Sequence, residues 1–294
     1  MNCDALYIAD LVSKGGPVVD DYPGLQLWFR TIARKKENGE LNSKKITGLQ
    51  EAFGESFSLD TVQGFCVQQP HGYAGDFEII DRIHTNWISP KSHLQKWDHF
   101  FHAQAAPNAV RNRKVYFQNI LEKISHEAGR AINVLNVGSG PGRDMEEYFF
   151  SRPRSTVHID CVDMDAKAIA HASHLNRNFL DKITFHHRNI FRFRPQKSYD
   201  LIWSAGLFDY LDERSFRFLL QKFIQIIKPG GQVVIGNFSP NNPSRDYMEF
   251  GRWNLIHRDK EQLRQLAETC NIWKHDIIIN SEPEGVNLFL HVKH

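Results

Sequence analysis

The chain has 294 residues, 41% of them apolar and 24% charged, with a formal net charge of +2. That length allows one large domain or a domain with a substantial appendage, and the composition excludes disordered, collagen-like and disulfide-scaffold classes. So small a net charge gives no field that would single out nucleic acid or an anionic membrane, and no apolar run approaches the roughly 18–20 residues that span a bilayer.

From residue 1 to about 128 the apolar residues recur at three and four. Leu25, Trp28, Phe29, Ile32 and Ala33 form one such set; Val110, Tyr116, Phe117, Ile120, Leu121 and Ile124 form another. This spacing predicts helices. The N-terminal stretch MNCDALYIADLVSKGG has two acids and no basic cluster, so it does not read as a secretory signal. Within this half HGYAGD (71–76) is followed by a helical run, Phe77, Ile79, Ile80 and Ile83. Two readings of it stand. Asp76 can cap a helix, with the glycines as the turn before it. Or the turn closes over a cofactor or acceptor, with His71, Tyr73 and Asp76 facing it.

From about 131 the grammar changes to short β-rich runs. Strands are expected at 131–137, 157–163, 183–187, 199–204, 232–238, 274–280 and 285–292, with helical patterns at 165–178, 214–227 and 259–270. Alternation of this kind builds a mostly parallel sheet covered on both faces. Only SEPE separates the last two strands, which forces a hairpin and one antiparallel edge. The expected organisation is α/β, a seven-stranded sheet over 129–294 preceded by a helical lid or substrate domain over 1–128.

VLNVGSGPGRD (134–144) puts Gly138, Gly140 and Gly142 in the first strand-to-helix turn, with Ser139 and Pro141 between them. Such a turn brings backbone and a helix N-terminus close to a ligand. The spacing is Gly-x-Gly-x-Gly with Arg143 where a dinucleotide fingerprint needs its last glycine, which argues against a pyrophosphate seat. Asp163, with Met164 beside it, ends the second strand, where a carboxylate can accept both ribose hydroxyls of an adenosine. Adenosine without a diphosphate points to S-adenosylmethionine. Asn189 and Ile190 follow strand three and suit the adenine amino group and ring; Ser204, Ala205 and Gly206 end strand four and suit the methionine end. KPGG (228–231) reads as a break leading into strand five.

Taken in order, these motifs resemble those of the class I S-adenosylmethionine-dependent methyltransferases over about 130–294, with Asn189 where that family often has Asp. GYAGD, AVRNR (109–113), VGSGPGRD and EPEGVNLFL (282–290) resemble more particularly a bacterial methyltransferase group. That group includes the enzymes that make 3-hydroxy fatty acid methyl esters as quorum-sensing signals. The resemblance implies S-adenosyl-L-methionine as cofactor and methyl transfer to a small-molecule acceptor.

A carboxylate acceptor is already ionised and needs orientation rather than a base. Tyr73, Arg111 and Arg113 are the candidates for that, with Arg252 and Arg258 further on, while Arg143 could steady the cofactor's own carboxylate. His71, His99 and His102 could act as bases on a phenol or amine. Phe208, Tyr210, Asn237, Tyr247, Phe250 and Trp253, in the loops after strands four and five, could wall an acyl or aromatic group; a filled core competes as the account of each, and of the 21 phenylalanines. SAGLFDYLD after strand four lacks the Asn/Asp-Pro-Pro-aromatic tetrad of enzymes that methylate adenine in nucleic acid, so no nucleic-acid partner is expected. A natural-product O- or N-methyltransferase and a cofactor-binding module without activity remain as rivals, and the resemblance leaves a homodimer open. Cys3, Cys66, Cys161 and Cys270 have no ligand spacing, so no metal and a reducing, cytoplasmic compartment are expected.

Overall fold

A computed structural model describes residues 3–294. The chain forms two compact units. One contains the residues up to Asn108 together with Pro243–Asn254; the other contains Ala109–Asn242 and Leu255–His294. The division falls twenty residues before the change in sequence grammar at 128/129, and a late segment returns to the helical unit.

The helical unit contains α1 (Cys3–Ser13), α2 (Tyr22–Glu37), α3 (Ser43–Glu51), α4 (Val62–Gln68), α5 (Phe77–His84) and α6 (Gln95–His102). The late segment adds a short helix at Arg245–Phe250. Its core is aromatic. Phe29 lies 4.7 Å from the ring of Tyr247 and 5.3 Å from that of Phe250, and Phe53 stacks on Phe57 at 4.1 Å. These contacts explain why 243–254 belongs here: its rings complete a core that α2, with Leu25, Trp28, Phe29 and Ile32 on one stripe, begins. Polar anchors fix the fit. The Tyr247 hydroxyl donates to Gln63 Oε1 at 2.7 Å, and Gln50 Nε2 donates to the carbonyl of Phe250 at 2.6 Å. Buried Asp98 accepts from the backbone N–H groups of Val62 and Ser89, and burial pushes its carboxyl up to about 6.

The second unit takes most of α7 (Ala105–Ala128), then β1 (Ile132–Val137), α8 (Arg143–Ser151), β2 (Val157–Asp163), α9 (Ala166–Leu175), β3 (Ile183–His187) and β4 (Tyr199–Ser204). It continues through α10 (Glu213–Ile224), β5 (Ile227–Phe238), α11 (Lys260–Glu268, the Arg245 helix being left unlabelled), β6 (Ile277–Ser281) and β7 (Asn287–Lys293). The sheet order is β3-β2-β1-β4-β5-β7-β6, parallel except where β7 runs against β5 and β6. Alternation along β1 sends Val134 to one face, with Phe117, Phe149, Trp203 and Phe289, and Leu135 and Val137 to the other, with Phe216, Leu220 and Phe223. No helix among the described residues is long and apolar enough to cross a membrane.

KPGG does not break the chain before β5. The strand runs from Ile227 through it, and the register jumps from Tyr199 opposite Ile227 to Leu201 opposite Gln232. Gly230 absorbs the extra residues at φ +77°, and its N–H is taken up by the His294 carbonyl.

The β6–β7 hairpin turns on one carboxylate. Glu282, 2% exposed, accepts from Val286 N at 2.8 Å and Asn287 N at 3.0 Å on one oxygen, and from Glu284 N and Asn112 Nδ2, both at 2.8 Å, on the other. Two of the segments that carry the family resemblance, AVRNR and EPEGVN, therefore meet through Asn112 and Glu282. Glu282→Ala should leave four donors without their acceptor and lower stability by on the order of 3 kcal/mol; Glu282→Gln, which keeps one acceptor oxygen, should fall between. Denaturant unfolding with a shared slope reads both.

Candidate active site

The glycine loop leaves β1 with Gly138 N–H still bonded to the Val162 carbonyl of β2, at 2.8 Å. Gly138, Gly140 and Gly142 have φ of +64°, +56° and +74°, a region side-chain residues rarely adopt. Gly142 is also sterically fixed, since a Cβ there would lie 2.9 Å from Asn176 Nδ2 and 3.0 Å from Ala172 Cβ. Above Gly140 a Cβ would meet nothing within 4 Å. The middle of the loop thus combines left-handed backbone with open space, the arrangement that lets a ligand approach main chain.

Asp163 holds that loop. Its two carboxylate oxygens accept from Gly140 N at 3.1 Å and Asp165 N at 3.0 Å. Burial raises its pKa, and these two bonds oppose the rise. Each oxygen has lone-pair capacity left, so a vicinal diol can still be bound. Met164 beside it is 69% exposed. Ser139 and Pro141 are buried in the loop itself.

The other predicted cofactor residues divide. Asn189 is exposed, and its Oδ1 accepts from Phe191 N at 2.9 Å, forming a local turn. Ile190 packs in the core cluster that also holds Phe193 and Leu220. Ser204 Oγ donates to the Val137 carbonyl at 3.1 Å, tying β4 to β1 where both strands end. Ala205 packs its carbonyl against Gly236, where a Cβ would lie only 2.3 Å away. At Gly206 a Cβ would lie 3.0 Å from Nη1 of Arg113.

AVRNR sends its three polar residues to three partners. Asn112 goes to Glu282, half-buried Arg111 feels Glu284, and Arg113, 9% exposed, lies against Gly206. Burial lowers the pKa of Arg113, with Asp209, Tyr210 and Asp144 pulling it back. Asp144, in the first turn of α8, is itself pushed up to about 6 by burial.

Several residues expected to wall an acceptor pocket make contacts within the protein. Phe208 packs edge-on to Phe216 at 4.8 Å. Asn237 is saturated, donating to Asp209 Oδ1, Phe238 O and Ile256 O and accepting from Arg258 Nη1. Arg258 also donates to the carbonyls of Phe208 and Leu211. Tyr210, 42% exposed, stays accessible. In the helical unit Tyr247, Phe250 and Trp253 are buried and the first two are core rings. Asp76 accepts from Glu78 N and Ile79 N, the helix-cap reading, and His71 Nε2 lies 3.1 Å from Glu78 Oε2. Tyr73 is 40% exposed.

Two features escaped the sequence. Asp209 and Arg258 form, through Asn237, a buried polar cluster behind β4 and β5. Asn176 locks the glycine loop by donating to the Gly142 carbonyl at 3.0 Å. Only proximity to a motif marked Asp209, and nothing in local sequence marked Asn176. No group of three or more His, Cys, Asp or Glu side chains suited to a metal occurs among the described residues.

Residues 134–231 match the family described as methyltransferase domain. The malonyl-[acyl-carrier protein] O-methyltransferase of Bacillus cereus is 31% identical over 172 residues, 55% of this chain and 61% of that one. The chain thus spans about three-fifths of the length of that curated relative. Among solved structures, a protein of Bordetella parapertussis described as a possible exported protein aligns with a TM-score of 0.62 at 21% identity, covering 74% of this chain and 79% of that one. Magnesium protoporphyrin IX methyltransferase of Synechocystis aligns at 0.53 and 9% identity, over 81% and 99%. The sheet shares its fold with that methyltransferase structure, and residues 134–231 are the part of the chain that matches a methyltransferase domain.

Burial pushes Asp209 up to about 7, against the pull of Phe238 N–H, Arg113 and Arg258. A carboxyl that holds its proton more tightly folded than unfolded stabilises the fold fully below pH about 4, and that contribution fades as pH rises to about 7. Asp209→Asn mimics the protonated form and lacks this slope. Its stability should therefore gain on wild type between pH 4 and 7, by no more than about 1.4 kcal/mol per pH unit. Parallel denaturant curves across that range test the sign.

Proposed function

We propose that this protein transfers a methyl group from S-adenosylmethionine to a small-molecule acceptor, and that the acceptor is the carboxylate of a fatty acid, with 3-hydroxy acids the first candidates. The observation that carries the cofactor reading is the glycine loop. Its middle N–H is held by Asp163, and open space lies above it. Asp163 would take the ribose hydroxyls on its remaining lone pairs, and the backbone of Gly138–Gly142 would lie along the ligand. When bound, S-adenosylmethionine supplies a methyl group on positively charged sulfur. The protein's own task is then positional: to hold an oxygen nucleophile in line and near 3 Å, which in ideal intramolecular systems is worth up to about 7–11 kcal/mol.

An oxygen acceptor on an acyl group is supported by the Bacillus relative, by name a malonyl-[acyl-carrier protein] O-methyltransferase. An ionised carboxylate needs no base, and half-buried Arg111 is assigned to orient it. The loop SAGLFDYLD after β4, which lacks the tetrad of nucleic-acid amino methylation, supports a small molecule.

Asp163→Ala should weaken S-adenosylhomocysteine binding by about 100-fold, on charge-assisted bonds of roughly 1.5–3 kcal/mol each. Calorimetry that finds unchanged affinity would remove the ribose assignment. For the acceptor, methyl-labelled donor is incubated with the protein and 3-hydroxy fatty acids of graded length. Mild alkali should release the transferred label as volatile methanol, the mark of a carboxyl ester; alkali-stable label would mean an ether or amine product and a different acceptor.

A further inference from the structure

After β3 the chain makes a tight turn beside Asp163. His187, the last residue of β3, pairs with Asp163 at the end of β2, and Arg188 N–H donates to the Asp163 carbonyl at 2.9 Å. The turn 189–193 therefore starts next to the carboxylate to which the ribose is assigned. Inside it the Asn189 side chain accepts from Phe191 N at 2.9 Å, and the Asn189 carbonyl accepts from Arg192 N and Phe193 N, both at 3.0 Å. These bonds use the oxygens of residue 189. The next two carbonyls, of Ile190 and Phe191, need donors from elsewhere.

Lys222 of α10 supplies them. Its Nζ donates to the Ile190 carbonyl at 2.6 Å and to the Phe191 carbonyl at 3.2 Å. Arg194 Nη1 adds a second bond to the Phe191 carbonyl, also at 3.2 Å. One helical turn before Lys222, Phe218 stacks on Phe191 with ring centroids 5.9 Å apart. An ammonium and a ring from one face of α10 thus clasp the turn. The ammonium is held by carbonyls rather than by a carboxylate. Burial and the charge of Arg194 both work against it and bring its pKa down to about 8, and no carboxylate among the described residues offsets them. A lysine with its head in water would escape that penalty.

We propose that Lys222 is a positioning residue for the purine of the cofactor: by holding the Ile190 and Phe191 carbonyls it fixes the turn from which Asn189 meets the adenine edge. This rests on the cofactor reading above. With Oδ1 bound to Phe191 N the Asn189 amide has one orientation, and its Nδ2 is left to donate. Adenine offers N1 as an acceptor to such a donor; hypoxanthine, with a proton on N1, does not. Lys222 touches neither ring nor ribose, and acts by keeping that amide where it is.

The full-length protein is titrated calorimetrically with S-adenosylhomocysteine and with S-inosylhomocysteine, which differ only in the purine. Wild type should prefer the adenine ligand about 30-fold, and Lys222→Met should bring that preference down to about threefold. Lys222→Arg, with a permanent cation, should keep most of it. The protonated form is the one that holds the turn, so affinity should fall as pH rises through about 8. Between pH about 7 and 9.5 wild type should weaken about fivefold relative to Lys222→Arg; the ligand's own amine titrates alike in both and cancels in the ratio. Equal weakening of the two ligands in Lys222→Met, or the same pH dependence in wild type and Lys222→Arg, would leave Lys222 a stabilising residue and overturn the proposal. Wild type that binds both ligands alike would overturn it while leaving the cofactor reading in place. Wild type that binds neither would remove the cofactor reading itself, and the role of Lys222 with it.

Discussion

The bond from Gly140 N–H to Asp163 is the constraint around which the second unit is organised. It joins the loop after β1 to the last residue of β2 at 3.1 Å, and it does so where the backbone has a positive φ. Parallel pairing between β1 and β2 ends at Val137 and Val162, so the carboxylate extends by side chain what the ladder cannot continue by main chain. Ser204 repeats the device on the other side, bonding the same strand end from β4. The central strand is thus tied on both flanks at the level where its loop opens.

Charge is handled differently at the two ends of the sheet. At the end where strands begin, Asp200 accepts from Arg130, Lys228 and Asn133 N, and these partners hold its pKa below the usual carboxylate range in spite of burial. At the end where strands finish, burial wins: Asp144, Asp163 and Asp209 all have raised pKa values, and Arg113 a lowered one. The first end is electrostatically complete and reads as scaffold. The second keeps charged groups under desolvation without full pairing, the condition that functional sites show more often than structural ones.

Sequence disclosed the parts of this protein that depend on local order. Strands of alternating or continuous apolar residues, the glycine loop and the hairpin around SEPE are set by neighbours a few positions apart, and all are present close to where periodicity puts them. What it hid depends on partners far along the chain. Glu282 and Asn112 are 170 residues apart, and Tyr247 and Gln63 are 184 apart. The ring packing of Phe208, the hydrogen bonds of Asn237 and the core position of Ile190 were not legible, because a residue next to a site motif and a residue under it look alike in one dimension. KPGG looked like a break since its glycines weaken a strand; pairing with β4 at Ile227 before it and at Gln232 after it carries β5 through.

The return of 243–254 to the helical unit has a consequence for how the chain is made. Phe29 and Gln63 emerge early in synthesis, but the rings and hydroxyl that complete their packing come from Tyr247 and Phe250, after five of the seven strands have already been made. A chain released from the ribosome in order therefore holds an unfinished aromatic cluster for most of its translation. Domains usually fold as units from the N-terminus onward. Here the first unit to be synthesised is the one that must wait, and the second, begun later, has its first five strands in hand before the first can close.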